Sequence, residues 1–147
     1  VVEHVDDDRG ALENIRAMLS EDGRAIVLVP HGPWNLGTLD EVLGHKRRYT
    51  PESLRRVAVA AGFQVKALLT FNRASSLPWY LNGRILRRRT FGLFQMKMVN
   101  WLTPLFRLVD GWLPFPPLSL IAVLEPRVSL AAEAASLDVS RERATGG

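Results

Sequence analysis

Apolar positions fall at helical spacing over Leu12, Ile15, Met18 and Leu19, and then run unbroken from Ala25 to Val29. The first pattern predicts an amphipathic helix and the second a strand covered on both faces. Asp6, Asp7 and Asp8 precede the helix, where a short carboxylate caps it and negative charge suits the dipole. Gly23 reads as the left-handed residue that stops it, and Pro30 ends the strand. A helix leading into such a strand is half of an α/β layer, and the remaining segments read as layers added to that strand.

The same pattern continues downstream. Thr38–Leu43 reads as a short helical turn. Thr50 as cap, Pro51 at the first position, Glu52 in the first turn and the apolar face Leu54, Val57, Ala58 and Ala61 predict a helix that stops at Gly62. Over Gln64–Phe71 the chain alternates, with Val65, Ala67, Leu69 and Phe71 on one side, as in a strand near a sheet edge. Leu77, Tyr80, Leu81, Ile85 and Leu86 suggest an amphipathic helix closing at Arg87–Arg89. Phe94, Met98, Trp101, Leu102, Leu105, Val109, Trp112 and Leu113 suggest a second, kinked at Pro104. Pro114–Pro117 breaks it, and Leu118–Leu124 is a final apolar strand. At the other end, VVEHV reads as the end of an apolar strand entering a polar loop. The expected domain spans residues 1–126, with a helical insertion at about 75–113 and a disordered tail over 127–147.

Composition adds bounds rather than identity. The chain has 147 residues, 47% hydrophobic and 23% charged, enough for one domain with a core. No apolar run spans a bilayer and no secretory signal is visible. Cysteine is absent, which rules out disulfides and a Cys-based metal site and fits a reducing, cytoplasmic setting. Without an initiator methionine, the chain is expected to lack the N-terminal part of a larger domain.

The net charge of +4 is unevenly spread. Residues 1–44 hold three Lys/Arg against nine acids, whereas residues 45–97 hold twelve against Glu52 alone. Such a basic stretch is either a solvated surface or a site for an anionic partner, a phosphate group or a membrane surface. His45, Lys46, Arg47, Arg48 and Tyr49, just ahead of a helix start, either hold an anion or form a solvated loop. The Arg-flanked Trp and Phe of the helical region either lie on a membrane surface or, as favoured here, cover the sheet or close over a substrate pocket. Trp34, in the turn-rich stretch HGPWNLG, either covers a ligand or plugs the core. Glu3 and His4, at the expected strand end, either serve a ligand or bond locally.

Four stretches in order carry a family resemblance: VVEHVDDDRGALENIRAMLSEDGRAIVLVP, GHKRRYTPESLRRVAVAAGF, QVKALLTFN and LSLIAVLEP. Together they resemble the C-terminal half of class I S-adenosylmethionine-dependent methyltransferases of the broad UbiE/UbiG-like group. The resemblance implies a partial Rossmann-like α/β sheet, mostly parallel with an antiparallel last strand. VVEHV would end its fourth strand, and Arg24–Val29, Gln64–Phe71 and Leu118–Leu124 would be the fifth, sixth and seventh. It implies methyl transfer to a small-molecule or lipid-linked acceptor. His4, His31 and Tyr49 are the expected catalytic candidates, Glu3 and His4 lie at the cofactor, and Trp34, His45, Arg48 and Tyr49 lie at the acceptor. The family's glycine-rich loop and ribose-binding acid are absent from these residues, so weak or no cofactor binding is expected of this chain by itself. Some relatives bind a divalent metal through Glu-x-x-Glu-His. Glu3 and His4 match only its end, and no metal site is assigned. The alternative function is a non-catalytic remnant that docks on anionic membrane, or on a partner, through its basic aromatic helices. No nucleic-acid motif is present.

Overall fold

The computed structural model describes residues 1–90 and 92–127. The protein is a mixed α/β chain built on a three-stranded antiparallel sheet. Helix α1 spans Asp8–Met18, strand β1 Ala25–Pro30, α2 Thr38–Leu43, α3 Pro51–Ala60 and β2 Phe63–Phe71. Then come α4 (Ser76–Tyr80), a π-helical turn at Leu81–Ile85, α5 (Leu93–Val109) and β3 (Ser119–Pro126). The last strand is central, in the order β1-β3-β2, and pairs antiparallel with both neighbours. Val27 sits opposite Ala122, and Leu68 opposite Ala122 on the other side.

The core follows from this pairing. Leu120, Ala122 and Leu124 alternate along β3 and are wholly buried, with Val27 and Val29 of β1 beside them. Leu12 of α1 and Leu54 and Ala58 of α3 close over the same face, and Phe63 fills the start of β2. Each of the buried Leu, Val and Phe side chains contributes roughly 1.5–3 kcal/mol by leaving water. The helices form where their caps dictate. Asp7 accepts from the Gly10 amide at 2.8 Å, while Thr50 and Ser53 bond each other's backbone N–H at 3.1 and 2.9 Å. Gly62, at φ 83°, provides the left-handed stop after α3.

Several expectations are corrected. VVEHV is not a strand end: Val2–His4 is a single 3-10 turn, closed by the His4 amide on the Val1 carbonyl at 3.1 Å. The turn drops Val2 into the core. Gly23 does not end α1. The helix closes at Leu19, whose N–H bonds the Arg16 carbonyl, and Gly23 instead closes a tight turn where a Cβ would lie 2.9 Å from the Ser20 carbonyl oxygen. β1 is covered on one face only, with Ile26 73% and Leu28 55% exposed. In β2 the register shifts between Val65 and Ala67, a bulge that breaks strict alternation. Beyond it Leu68 packs against the core, while Leu69 and Phe71 face out. Both strand pairings are antiparallel, so the mostly parallel sheet expected from the resemblance is not seen among the described residues. The parallel element there is one isolated bridge, His31 to Tyr49.

The helical region departs most. α5 buries none of its residues, and Phe94 and Trp101 are each 79% exposed. It therefore neither covers the sheet nor closes a pocket among the described residues. The expectations for the tail beyond Arg127, including its disorder, lie outside those residues. No described helix is long and apolar enough to cross a membrane.

Candidate functional site

The candidate site forms where the loop from Gly44 to Thr50 passes the start of the chain and the end of β1. Backbone bonds pin the loop on both sides. The Lys46 amide donates to the Glu3 carbonyl at 2.8 Å, the Tyr49 amide to Pro30 at 2.8 Å, and the Gly32 amide to Tyr49 at 3.0 Å. Charge does the rest. Lys46 pairs with Asp6, Arg47 with Asp8 at 2.8 Å, and Arg48 with Asp40 at 2.8 Å. The basic run is thus neutralised by the acids that precede it in the chain, and these three cations are committed to protein carboxylates.

Asp40 anchors the arrangement. It is fully buried in α2, where Oδ1 accepts from Arg48 and from His45 Nδ1 at 2.8 Å, and Oδ2 accepts from the Gly37 amide at 3.1 Å. Arg48 also donates to the His31 carbonyl at 3.0 Å and lies 5.2 Å over the Trp79 ring. A buried ion pair is tolerable only with further hydrogen bonds around it, and here Asp40 accepts from three groups while Arg48 also reaches a backbone carbonyl. Sequence patterning does not single out Asp40. The available signal was an acid set in the apolar run TLDEVL, at a position facing inward.

Among the expected residues, three converge. His4 and His45 rings stand 5.0 Å apart, and His4 Nε2 lies 3.3 Å from Glu3 Oε1. His4 Nδ1 faces the Gly44 carbonyl at 2.9 Å. Burial alone would push the Glu3 carboxyl up, but its backbone hydrogen bond, the Val1 amine and His4 outweigh this and hold it below its ordinary value. His31 and Tyr49 sit side by side across their bridge, with His31 Nδ1 on the Pro117 carbonyl at 3.0 Å.

Tyr49 is itself buried. Its hydroxyl donates to Asp8 at 2.9 Å, and burial, then the Asp8 carboxylate, push its pKa well above the ordinary phenol value. It therefore keeps its proton at neutral pH. Trp34 is not a core plug. It is 45% exposed, packed over Gly32 and tilted against Tyr80 at 6.2 Å. Asn35 was missed as well: it buries its amide with no hydrogen-bond partner among the described residues. An open groove of about 420 Å³ runs along Pro51, Arg55, Val59 and Leu68, and none of the expected site residues lines it.

Replacing Asp40 by Ala leaves the Arg48 guanidinium buried and unpaired, and should cost about 3–5 kcal/mol in urea unfolding. Lys46→Ala, which removes an exposed pair, should leave the midpoint nearly unchanged. Tyr49 sets an alkaline limit. Above pH 10 the unfolded tyrosine ionises while the folded one keeps its proton, so the unfolded state binds fewer protons and stability falls as pH rises. Urea midpoints from pH 8 to 11 should decline less steeply in Tyr49→Phe. Compared with protein-family models and with curated proteins, the chain matches none.

Proposed function

We propose that residues 1–126 form the far side of a methyltransferase domain that passes the methyl group of S-adenosylmethionine to a small-molecule or lipid-linked acceptor in the cytoplasm. The observation that supports this best is the sheet. β1 and β2 run in the same direction, and the last strand, β3, is hydrogen-bonded between them and antiparallel to both. An antiparallel last strand is what the four quoted stretches lead one to expect, and the helix–strand succession along the chain agrees. In open α/β sheets ligands gather at the carboxyl ends of strands. His31, Arg48 and Tyr49 stand at that end of β1.

The described residues do not by themselves fit the cofactor. Glu3 and His4, expected beside it, face each other and His45, and the open groove lies away from them. No glycine-rich loop backs them. When bound in a complete domain, the cofactor supplies an electrophilic methyl on a sulfonium sulfur. This chain's part is to position the acceptor and, for a hydroxyl acceptor, to take its proton. His31 suits that role. With Nδ1 turned to the Pro117 carbonyl, a neutral ring carries its lone pair on Nε2. Tyr49, which keeps its proton, does not.

The test is cofactor binding by the full coding sequence that contains these residues, set against the 147-residue chain. Equilibrium dialysis should give binding at least about 100-fold tighter for the longer product, a difference of about 2.7 kcal/mol. Equal, weak binding by both removes the reading.

One observation favours a second reading, peripheral docking on anionic membrane. α5 presents Leu93, Phe94, Trp101, Leu108 and, just beyond it, Trp112 to solvent. Arg87–Arg89, Lys97 and Arg107 flank or interrupt this surface, and no acid occurs between Arg84 and Val109. Exposed aromatics with basic neighbours suit the headgroup region, and each cation near an anionic surface adds about 1 kcal/mol. Vesicles containing phosphatidylserine should pellet the protein at low salt and release it at high salt. Trp101→Glu with Trp112→Glu should abolish pelleting, and failure of the unaltered chain to pellet at low salt removes this reading.

A further inference from the structure

Three side chains near the start of the chain and the Gly44–Thr50 loop turn metal-ligating atoms toward one another. Glu3, His4 and His45 each offer one such atom, and the three lie within 4.8 Å of one another. The ring tautomers follow from their partners. A ring nitrogen facing a carbonyl or carboxylate oxygen carries the proton, so His4 Nδ1 donates to the Gly44 carbonyl and His45 Nδ1 donates to Asp40 Oδ1. In the neutral rings both lone pairs are then on Nε2. Of the Glu3 oxygens, Oε2 accepts from the Val1 amine at 2.9 Å, and Oε1 faces His4 Nε2 at 3.3 Å. One ligand atom from each histidine and a carboxylate oxygen thus lie together, and a metal ion would take the place of a proton shared between His4 Nε2 and Glu3 Oε1.

We propose that Glu3, His4 and His45 form a binding site for a divalent first-row transition ion of the zinc class. Tetrahedral zinc, with ligands at about 2.0–2.1 Å, holds its ligand atoms about 3.3 Å apart. The Glu3–His4 pair already has that separation. The remaining separations close by at most about 1.5 Å on the same geometry, which side-chain rotation supplies. The support behind the ligands is also that of a metal site. His45 is backed by the buried Asp40 carboxylate, and that carboxylate is fixed by Arg48 and the Gly37 amide. Such outer partners orient imidazoles and raise their basicity. His4 is half-exposed, so the fourth position opens to water or to a ligand. Two imidazoles favour zinc, cobalt or nickel over magnesium or calcium, which prefer oxygen ligands throughout. The neighbouring cations do not fill the site, because Lys46, Arg47 and Arg48 are held by Asp6, Asp8 and Asp40. The set differs from the Glu-x-x-Glu-His pattern, since one ligand comes from the loop ahead of α3. It stands independently of the methyl-transfer reading.

Calorimetric titration of the untagged 147-residue chain with zinc chloride tests the site. Binding should be one to one with a dissociation constant in the micromolar range or tighter, and magnesium should give no binding at the same concentrations. His4→Ala and His45→Ala should each weaken zinc about 10–100-fold, while His31→Ala, the one other histidine, should change nothing. Because His45→Ala also strips a partner from Asp40, long-range proton–nitrogen spectra of the unaltered protein provide an independent readout. Zinc should move Nε2 of His4 and His45 and leave His31 in place. No saturable binding below 1 mM, binding retained in both His4→Ala and His45→Ala, or shifts confined to His31 would overturn the proposal.

Discussion

The carboxylate of Asp40 and the guanidinium of Arg48, both buried, hold together parts of the chain that the sheet does not reach. β3 organises the strands, and α1 and α3 close over one face. The turn after β1, α2 and the loop before α3 have few apolar residues with which to anchor themselves. Asp40 accepts from Arg48, His45 and the Gly37 amide, while Arg48 reaches on to the His31 carbonyl. One ion pair therefore fixes α2, the end of β1 and the ring of His45 at once. Charges so far from water cost several kcal/mol each unless every lone pair and proton finds a partner. That demand makes the local geometry specific: a shift of the loop by one residue would strand both charges.

The uneven charge of the chain has its explanation in the same place. Acids at Asp6, Asp8 and Asp40 precede cations at Lys46, Arg47 and Arg48, and the fold brings the two groups into register. The cluster Lys46–Arg48, which reads along the sequence as a basic surface awaiting an anion, is neutralised internally. Arg87, Arg88, Lys97 and Arg107, on and just ahead of α5, are not part of this neutralised cluster. A basic cluster counts toward a partner only after the protein's own acids have been subtracted.

The elements legible in the sequence were those with strong local punctuation. α1, β1, α3 and β3 each carry a cap, a proline or glycine stop, or an unbroken apolar run, and each forms close to where these signals place it. Failures came where pairing or packing decides. VVEHV has the composition of a strand, yet a single turn that buries Val2 takes its place. The alternation in β2 was read correctly as far as Val65, but a bulge is a property of two strands and cannot be seen in one. In the site, the histidines and Arg48 drew notice by residue type, whereas Asp40 and Asn35 looked like ordinary polar residues in a turn-rich stretch. Their importance lies in burial, which depends on chain segments distant in sequence.

Two apolar surfaces remain bare among the described residues, and their chemistry differs. On the outer face of β1, Ile26 and Leu28 alternate with core residues and carry no charge between them. Such a surface suits apolar cover of the kind that an α/β sheet receives on both faces. α5 exposes Leu, Met, Phe and Trp side chains on a helix that also bears Lys97 and Arg107. A protein interior would have to desolvate those cations, at a cost that apolar burial offsets poorly. A headgroup layer accepts aromatic rings and long basic side chains together, with the charged tips left in water. The two surfaces therefore differ in chemistry: the outer face of β1 is purely apolar, whereas α5 mixes exposed apolar side chains with cations.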